Sequence, residues 1–205
     1  MAEIRELQEW LCLSDFPTKI DGIHGPSTKR QLGRFQQAHS VGVIQGELDA
    51  ETWRALTAPL TRLATCLPLP PPHTIYSAVY DTAIKHLEEH PREVGGANRG
   101  PWDRWYMDGN EGPQWAWCVG FALTIARQAY QRLDWVAPEW LPRTYSCDRL
   151  AKAAQEADRF YTSNEALQTP GLLDDPSGGW VFLVRKRWGD WTHAGLLLDA
   201  YADNT

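Results

Sequence analysis

Two residues of this chain, Cys118 and His193, are of types that together form a nucleophilic pair. Cys118 follows Trp117 and opens an apolar segment that is predicted to be a helix, and His193 lies at the start of a predicted strand. The first turn of a helix offers free N–H groups and partial positive charge, and both favour a thiolate over a thiol. A histidine can hold the thiol proton and return it to a leaving amine. The pair therefore predicts cleavage of an amide by a cysteine nucleophile.

The elements that must position this pair are predicted from the spacing of apolar residues and from caps and turns. Helices that precede strands favour an α+β fold. The predicted elements are helices over 75–90, 118–132 and 146–158, the last capped by Ser146, an irregular loop over 162–179, and strands over 180–187 and 192–201 joined by a turn at 188–191.

Composition and charge exclude several function classes. The 205 residues can form one sizeable core plus a small module, and the net charge of −6 argues against nucleic-acid binding. No apolar run reaches the length of a membrane span, so no membrane insertion is expected. Residues 1–10 are charged and lack the features of a secretion signal, which predicts synthesis in the cytoplasm without a signal peptide.

The four cysteines are widely scattered and form no Cys-x-x-Cys pair. This spacing argues against a zinc knuckle, and without a secretion signal the thiols are expected to stay reduced. Cys12, Cys66 and Cys147 are interpreted as inert thiols. No cofactor and no metal is expected.

A proline-rich stretch predicts a boundary between two domains, because consecutive prolines interrupt helices and sheets. It divides the chain into a module over 1–62, a linker over 63–73 and a larger domain over 74–205. The module is predicted to contain three helices. Ser27 is the expected cap of the second helix, with Leu32 and Phe35 facing inward, and Asp49 is the expected cap of the third.

The module carries a recurring pattern that begins with Leu7-Gln8 and the turn Asp21-Gly-x-x-Gly-Pro-Ser-Thr-Lys29. It continues with Arg34-Phe35-Gln36 and closes with 48–56, and Gln45-Gly46 replaces Asp-Gly in the second turn. This pattern resembles the three-helix peptidoglycan-binding domain, which implies binding to the cell-wall polymer. The alternative is a small helical domain without a ligand. The wall-binding residues that the resemblance implies are Asp21, Gly22, Gly25, Phe35 and Trp53.

The larger domain resembles the papain-like amidases and peptidases of the CHAP and NlpC/P60 type. The resemblance rests on Trp117-Cys118, on the strand segment His193-Ala-Gly195 and on the loop 93–101. It implies a papain-like fold and hydrolysis of an amide in the stem peptide of the cell wall. The oxyanion formed on the way needs two donors, for which the Cys118 N–H and either Gln114 or Asn98 are candidates.

A Cys–His pair usually has a third group that orients the imidazole. Asp199 lies roughly 20 Å from His193 along the same strand, which is too far. The resemblance places the orienting group on a following strand, but the chain stops at 202–205. Asp190, Asp103 and Asn98 are weak candidates. We therefore predict that the third element is absent, through truncation of the chain or decay of the site.

Tryptophan is unusually frequent, with eleven residues. Most are expected in the core, whereas Trp115, Trp117 and Trp191 are candidates for a substrate groove. A rival motif, His86-Leu-Glu-Glu-His90, matches a pattern of inverted zinc peptidases. It lies at a helix end before Pro91, which favours a solvated surface over a metal site.

Together these features predict a lysin-like or effector-like peptidoglycan hydrolase that acts at the bacterial cell wall. Delivery by a holin or by a secretion system would replace a signal peptide. The alternative is a non-catalytic cell-wall-binding protein with a decayed or truncated hydrolase domain.

Overall fold

The computed structural model describes residues 3–65, 72–172, 180–187 and 189–198. The described residues form eight helices and one two-stranded antiparallel sheet, which is consistent with the predicted α+β class. No described helix combines the length and the apolar character needed to cross a membrane. The elements are α1 (Ile4–Leu13), α2 (Pro26–His39), α3 (Ala50–Ala64), α4 (Ile75–Glu88), α5 (Pro101–Tyr106), α6 (Cys118–Arg132), α7 (Cys147–Glu156), α8 (Ser163–Gln168), β1 (Trp180–Arg187) and β2 (Asp190–Leu197).

The chain divides into two compact units that differ from the predicted domains in one segment. The first unit combines Met1–Leu67 with Glu89–Trp115, and the second combines Pro68–Glu88 with Ala116–Thr205. The segment 89–115, which was assigned to the larger domain, therefore packs with the N-terminal module. The predicted linker begins inside α3, and residues 66–71 lie outside the described residues.

Buried polar side chains of the first unit hold its two glycine turns. Gln8 of α1 accepts hydrogen bonds from the N–H groups of Asp21 and Gly22 at 2.9 and 2.8 Å. Its amide group donates to the Ile23 carbonyl and to the Thr28 hydroxyl, each at 3.0 Å. Gln8 is fully buried, and this one side chain satisfies three backbone groups of the turn.

The second turn repeats this construction. Gln36 of α2 accepts the N–H of Gly46 at 2.7 Å and donates to the Glu47 carbonyl and to the Thr52 hydroxyl. Gly46 has a φ of +84°, and a Cβ there would lie 2.9 Å from the Lys29 carbonyl oxygen. The glycine is required by this close approach, whereas the preceding aspartate of the family pattern is replaced here without loss of the turn.

The helix caps of the first unit agree with the sequence at one of two positions. Asp49 caps α3 and accepts the Thr52 N–H at 2.7 Å, as predicted. The prediction for Ser27 was wrong, because α2 begins at Pro26 and Gly25 occupies the N-cap. Proline has the backbone angle of a first helical residue and lacks the N–H that would need a partner, so the helix starts two residues earlier than a Ser27 cap would give.

The segment 89–115 is joined to α1 by aromatic and ionic contacts. The rings of Trp10 and Trp102 meet edge to face at 6.0 Å, and both side chains are buried. Arg104 of α5 donates to Glu9 at 2.6 Å and to Glu111 at 2.7 Å. The Glu9 side chain is fully buried, so this ion pair is part of the interior of the first unit.

Asp103 is a buried acid whose two oxygens have no hydrogen-bond partner within the described ranges. Burial, aided by the negative charge of Glu93, raises the pKa of Asp103 to about 7. The folded protein therefore keeps a proton that the unfolded chain releases near its ordinary value of 3.8. The contribution of Asp103 to the free energy of unfolding is therefore greatest below pH 3.8, and it falls as the pH rises toward 7.

Asp103→Asn is expected to be more stable than the wild type by about 2–4 kcal/mol near pH 8, and to differ little near pH 4. Amide and neutral acid have the same shape, but only the acid has to ionise in the interior. Urea unfolding at a series of pH values measures the difference. Asp108→Asn, at an exposed position, is the matched control. Parallel stability curves for wild type and Asp103→Asn would contradict the assignment.

The second unit is built around α6, whose apolar face meets two groups of residues. Ile125 and Ala129 pack against Ala78, Val79 and Ala83 of α4. The first turn of α6 lies in a second cluster with members from α7 and β2. That cluster consists of Val119, Leu123, Cys147, Leu150 and Ala194, with Cys118, Leu141, Val181, Leu183 and Trp191 packed against it.

Two sequence predictions fail in the second unit. The spacing of Ile75, Val79, Ala83 and Leu87 predicts that these four residues form the inner face of α4. Leu87 is instead 50% exposed, and His86 is fully buried. The predicted loop over 162–179 contains α8. This helix starts with a capping box in which Thr162 and Glu165 bond to each other's backbone N–H groups.

Candidate active site

The first turn of α6 places Cys118 at the edge of a packed core. Trp117 is the N-cap, so Cys118 is the first helical residue, as predicted. Its side chain is partly exposed, whereas Val119, the next residue, is fully buried and fixes the helix against its neighbours. The thiol is therefore held by rigid packing and remains reachable from solvent.

The surroundings of the Cys118 thiol stabilise its ionised form. A hydrogen bond from Cys147 lowers the pKa of Cys118 most strongly, and the total effect brings it to about 5 although burial opposes it. The Ala194 N–H, the charge of His193 and the Val119 N–H contribute in the same direction. At neutral pH the sulfur is a thiolate, which is the reactive form.

His193 lies on β2, the strand that packs against α6 and α7. It pairs with Val184 across the sheet, and its neighbour Ala194 is buried in the cluster beneath α6. Because side chains alternate along a strand, the burial of Ala194 leaves His193 exposed. The Phe182 ring lies 6.3 Å from the imidazole and occupies the space over Gly195, where a Cβ would collide with it. The two strands form the predicted hairpin, although β2 starts at Asp190 rather than at Thr192. Trp188 and residues 199–201 of the predicted hairpin lie outside the described residues.

Cys147 is a site residue that sequence reasoning treated as inert. It is the first residue of α7, directly after the predicted cap Ser146, whose hydroxyl accepts the Arg149 N–H at 3.3 Å. Cys147 is buried, and its thiol is the group that lowers the pKa of Cys118 most strongly. Only the capping signal at Ser146 hinted at a second cysteine that begins a helix.

We expect Cys147→Ala to raise the pH midpoint of Cys118 alkylation by about one to two units, because the thiolate loses its strongest donor. Cys147→Ser retains an O–H donor and is expected to stay close to the wild type. Iodoacetamide labelling across a pH series, read on the peptide that contains Cys118, measures the midpoint. Identical curves for all three proteins would show that Cys147 does not hold the thiolate.

Among the described residues, none is found in the position of a third catalytic group that would orient the His193 imidazole. No described residue forms a hydrogen bond with the His193 ring, and the Asp190 carboxylate is bonded to Arg187 at 3.1 Å. Asp103 and Asn98 belong to the first unit, and Asp199 lies outside the described residues. Absence of an orienting group therefore stays a prediction.

Gln114 and Asn98, the two alternatives predicted for the second oxyanion donor, belong to the first unit. Asn98 has a left-handed backbone with a φ of +51°, and its amide lies 3.5 Å from the Pro113 carbonyl oxygen. Gln114 is exposed. That either side chain donates a hydrogen bond to the oxyanion formed at Cys118 stays a prediction.

The three groove tryptophans have different surroundings. Trp115 is partly buried in the first unit, and its backbone N–H donates to the Gly112 carbonyl. Trp117 packs edge to face on Phe121 at 5.8 Å. Trp191 packs against the cluster beneath α6, where Phe160 and the Arg185 guanidinium contact its ring. Trp117 thus directly precedes Cys118 at the start of α6, and Trp191 lies on the strand that carries His193.

The predicted wall-binding residues mainly build the first unit. Asp21 accepts from the Gln8 amide and from the Ile23 N–H, each at 3.0 Å. Phe35 is a core side chain and Trp53 is partly buried. Gly22, with a φ of +75°, and Gly25, the cap of α2, shape the first turn.

The rival zinc motif is divided by the end of α4. The helix stops at Glu88, and His90 has a φ of +51°, so the two histidines do not continue along one helix face. His86 Nε2 lies 2.8 Å from Gln128 Oε1, and Glu89 binds Arg62 through both oxygens at 2.6 Å. Within the described ranges, no group of three potential ligands could hold a metal ion.

Comparison with known proteins finds a match over the N-terminal part of the chain. Residues 1–56 match the family model of the peptidoglycan binding domain. This match supports the wall-binding interpretation of the first module and associates the protein with peptidoglycan at the cell wall. No curated protein and no solved structure matches the chain.

Proposed function

We propose that this protein is a peptidoglycan hydrolase that cuts an amide bond of the cell-wall stem peptide with Cys118 as its nucleophile. The observation that carries the proposal is the placement of Cys118, which is the part-exposed first residue of α6 and packs against the cluster that contains Ala194, the neighbour of His193 on β2. Cys147, Ala194 and His193 lower its pKa to about 5. A thiolate beside an imidazole is the arrangement that amide hydrolysis by cysteine requires. The peptidoglycan-binding domain at residues 1–56 supplies the substrate class.

The proposed reaction has two stages. The Cys118 sulfur attacks the carbonyl carbon of the amide, and the negative charge on oxygen is stabilised by backbone N–H groups of the first turn of α6. As the C–N bond breaks, His193 gives its proton to the leaving amine. His193 then takes a proton from water, which attacks the thioester and releases Cys118 as a thiolate.

The wall-binding domain raises the concentration of substrate around this site, because both are parts of one chain. In this proposal the second unit has the papain-like fold of the CHAP and NlpC/P60 enzymes. The protein acts on the bacterial cell wall as an endolysin or as a delivered antibacterial effector. A holin or a secretion system would bring it there.

The proposal is tested by incubating the full chain with purified peptidoglycan and analysing the released muropeptides by mass spectrometry. Fragments with a new carboxyl end and a new amine are expected, and their masses name the bond. Iodoacetamide is expected to stop their release, whereas the chelator EDTA is not. Loss of activity with EDTA but not with iodoacetamide would contradict the thiol mechanism and indicate a metal-dependent one.

One observation favours a second candidate, a wall-binding protein without catalysis. His193 is exposed, and within the described residues no group orients its ring. Removal of such a group lowers the rate of a cysteine or serine hydrolase by orders of magnitude. Binding of the chain to peptidoglycan without any fragment release would select this candidate.

A further inference from the structure

The second unit brings two cysteines into contact at the starts of two helices. Cys118 is the first residue of α6, and Cys147 is the first residue of α7. Cys147 belongs to the cluster that contains Val119 and Leu123, and the Cys118 side chain packs against that cluster. The contact is held by packed elements of the core rather than by loops.

We propose that Cys118 and Cys147 form a reversible disulfide, with a peroxide as the oxidant and Cys147 as the resolving thiol. The disulfide itself needs no hydrolase activity. Its consequence, which is loss of wall hydrolysis while the bond persists, rests on the proposed function. The bond would protect the nucleophile from irreversible oxidation and would switch the enzyme off until a reductant opens it.

The chemistry divides into two balanced steps. The Cys118 thiolate attacks one peroxide oxygen, the O–O bond breaks, and Cys118 becomes a sulfenic acid while hydroxide leaves. The Cys147 sulfur then attacks the Cys118 sulfur, and the S–O bond breaks as water leaves with the Cys147 proton. Two thiols lose two electrons, and one hydrogen peroxide becomes two molecules of water.

The two sulfurs have the different environments that this sequence needs. Cys118 is partly exposed and ionised, so it is the thiol that meets the oxidant first. Cys147 is buried, and its hydrogen bond to the Cys118 thiolate raises its pKa. Oxidation of Cys118 to a neutral sulfenic acid removes that negative charge, so Cys147 can then ionise and attack.

The geometry favours bond formation over further oxidation. The core already packs Cys118 against the cluster that contains Cys147, so a disulfide with an S–S length of about 2.05 Å joins residues that the fold holds together. Both cysteines lie on first turns of helices, where N–H groups stabilise an attacking thiolate. A sulfenic acid without such a neighbour would proceed to sulfinic acid, which dithiothreitol does not reduce.

The test is oxidation of the full-length protein with hydrogen peroxide, followed by peptide mapping without reductant. The expected result is a linked pair of peptides that contain Cys118 and Cys147, a mass lower by two hydrogen atoms, and full reversal by dithiothreitol. Cys12→Ser is the matched control, because Cys12 contacts the Thr18 backbone in the first unit. It is expected to form the same bond.

Cys147→Ser provides a second arm that does not depend on the linked peptide. This variant is expected to accumulate sulfinic acid on Cys118 and not to recover with dithiothreitol. Equal accumulation in the wild type, without a linked peptide, would overturn the inference. A linked peptide in a protein that releases no muropeptides would support the disulfide and would contradict only the proposed hydrolase activity.

Discussion

A His193→Ala variant is expected to release muropeptides about 10²–10⁴-fold more slowly than the wild type. The alanine cannot protonate the leaving amine and cannot activate the water that hydrolyses the thioester. Its wall binding should be unchanged, because the peptidoglycan-binding domain lies at residues 1–56 and His193 lies on β2. Fragment release and co-sedimentation with peptidoglycan measure the two properties on the same sample.

A matched control separates catalysis from a general effect of removing a histidine. His73 is exposed and lies before α4, so His73→Ala should release fragments at the wild-type rate. The prediction would be contradicted by a His193→Ala variant that is as active as the wild type. A variant that lost both wall binding and hydrolysis would instead indicate misfolding, which thermal unfolding would detect.

Arg104→Ala is expected to lower the free energy of unfolding by about 3 kcal/mol. Arg104 forms ion pairs with the fully buried Glu9 and with Glu111. Its removal leaves the Glu9 carboxylate in the interior without its closest positive charge. Arg5 still contacts Glu9 at 3.1 Å, but its side chain is 41% exposed and replaces only part of the interaction. Urea unfolding, monitored by tryptophan fluorescence, measures the loss.

The control for this prediction is an exposed ion pair. Arg187 contacts Asp190 on the hairpin with 82% of its side chain exposed, and Arg187→Ala should change stability by less than about 1 kcal/mol. Similar losses for both variants would show that the Glu9–Arg104 contact is not a buried pair. Glu9→Gln combined with Arg104→Ala should cost less than the sum of the single changes, because the two residues share one interaction.

The sequence was sufficient for the parts of the candidate site that depend on local signals. The start of α6 at Cys118 followed from the apolar face of that helix, and Ser146 was identified by its capping position. The hairpin that carries His193 followed from two apolar segments around a glycine turn. Each of these signals lies within a few residues of the feature that it predicts.

The features that sequence reasoning missed depend on contacts between distant segments. Cys147 becomes part of the site only because α6, α7 and β2 converge on one cluster, and its own neighbours in sequence do not encode that convergence. The attachment of segment 89–115 to α1 likewise requires Glu9 and Trp10 to meet Arg104 and Trp102. Neither pairing leaves a periodic pattern that one sequence could show.

Helix ends were the other source of error. At α2, Pro26 moved the start ahead of Ser27, and on α4 the buried face followed His86 rather than Leu87. The second case reflects tertiary packing, because His86 has a hydrogen-bond partner in Gln128 of α6 and an aromatic contact in Phe121. A buried histidine with these partners contributes to packing even though its spacing from His90 resembled a metal motif.

The most direct test of the central claim compares the wild type with Cys118→Ala on purified peptidoglycan, using mass spectrometry of the released muropeptides and co-sedimentation. We expect fragments from the wild type alone and equal binding of both proteins to the wall. Fragments released equally by Cys118→Ala would contradict it, because the bond would then be cut without the thiol.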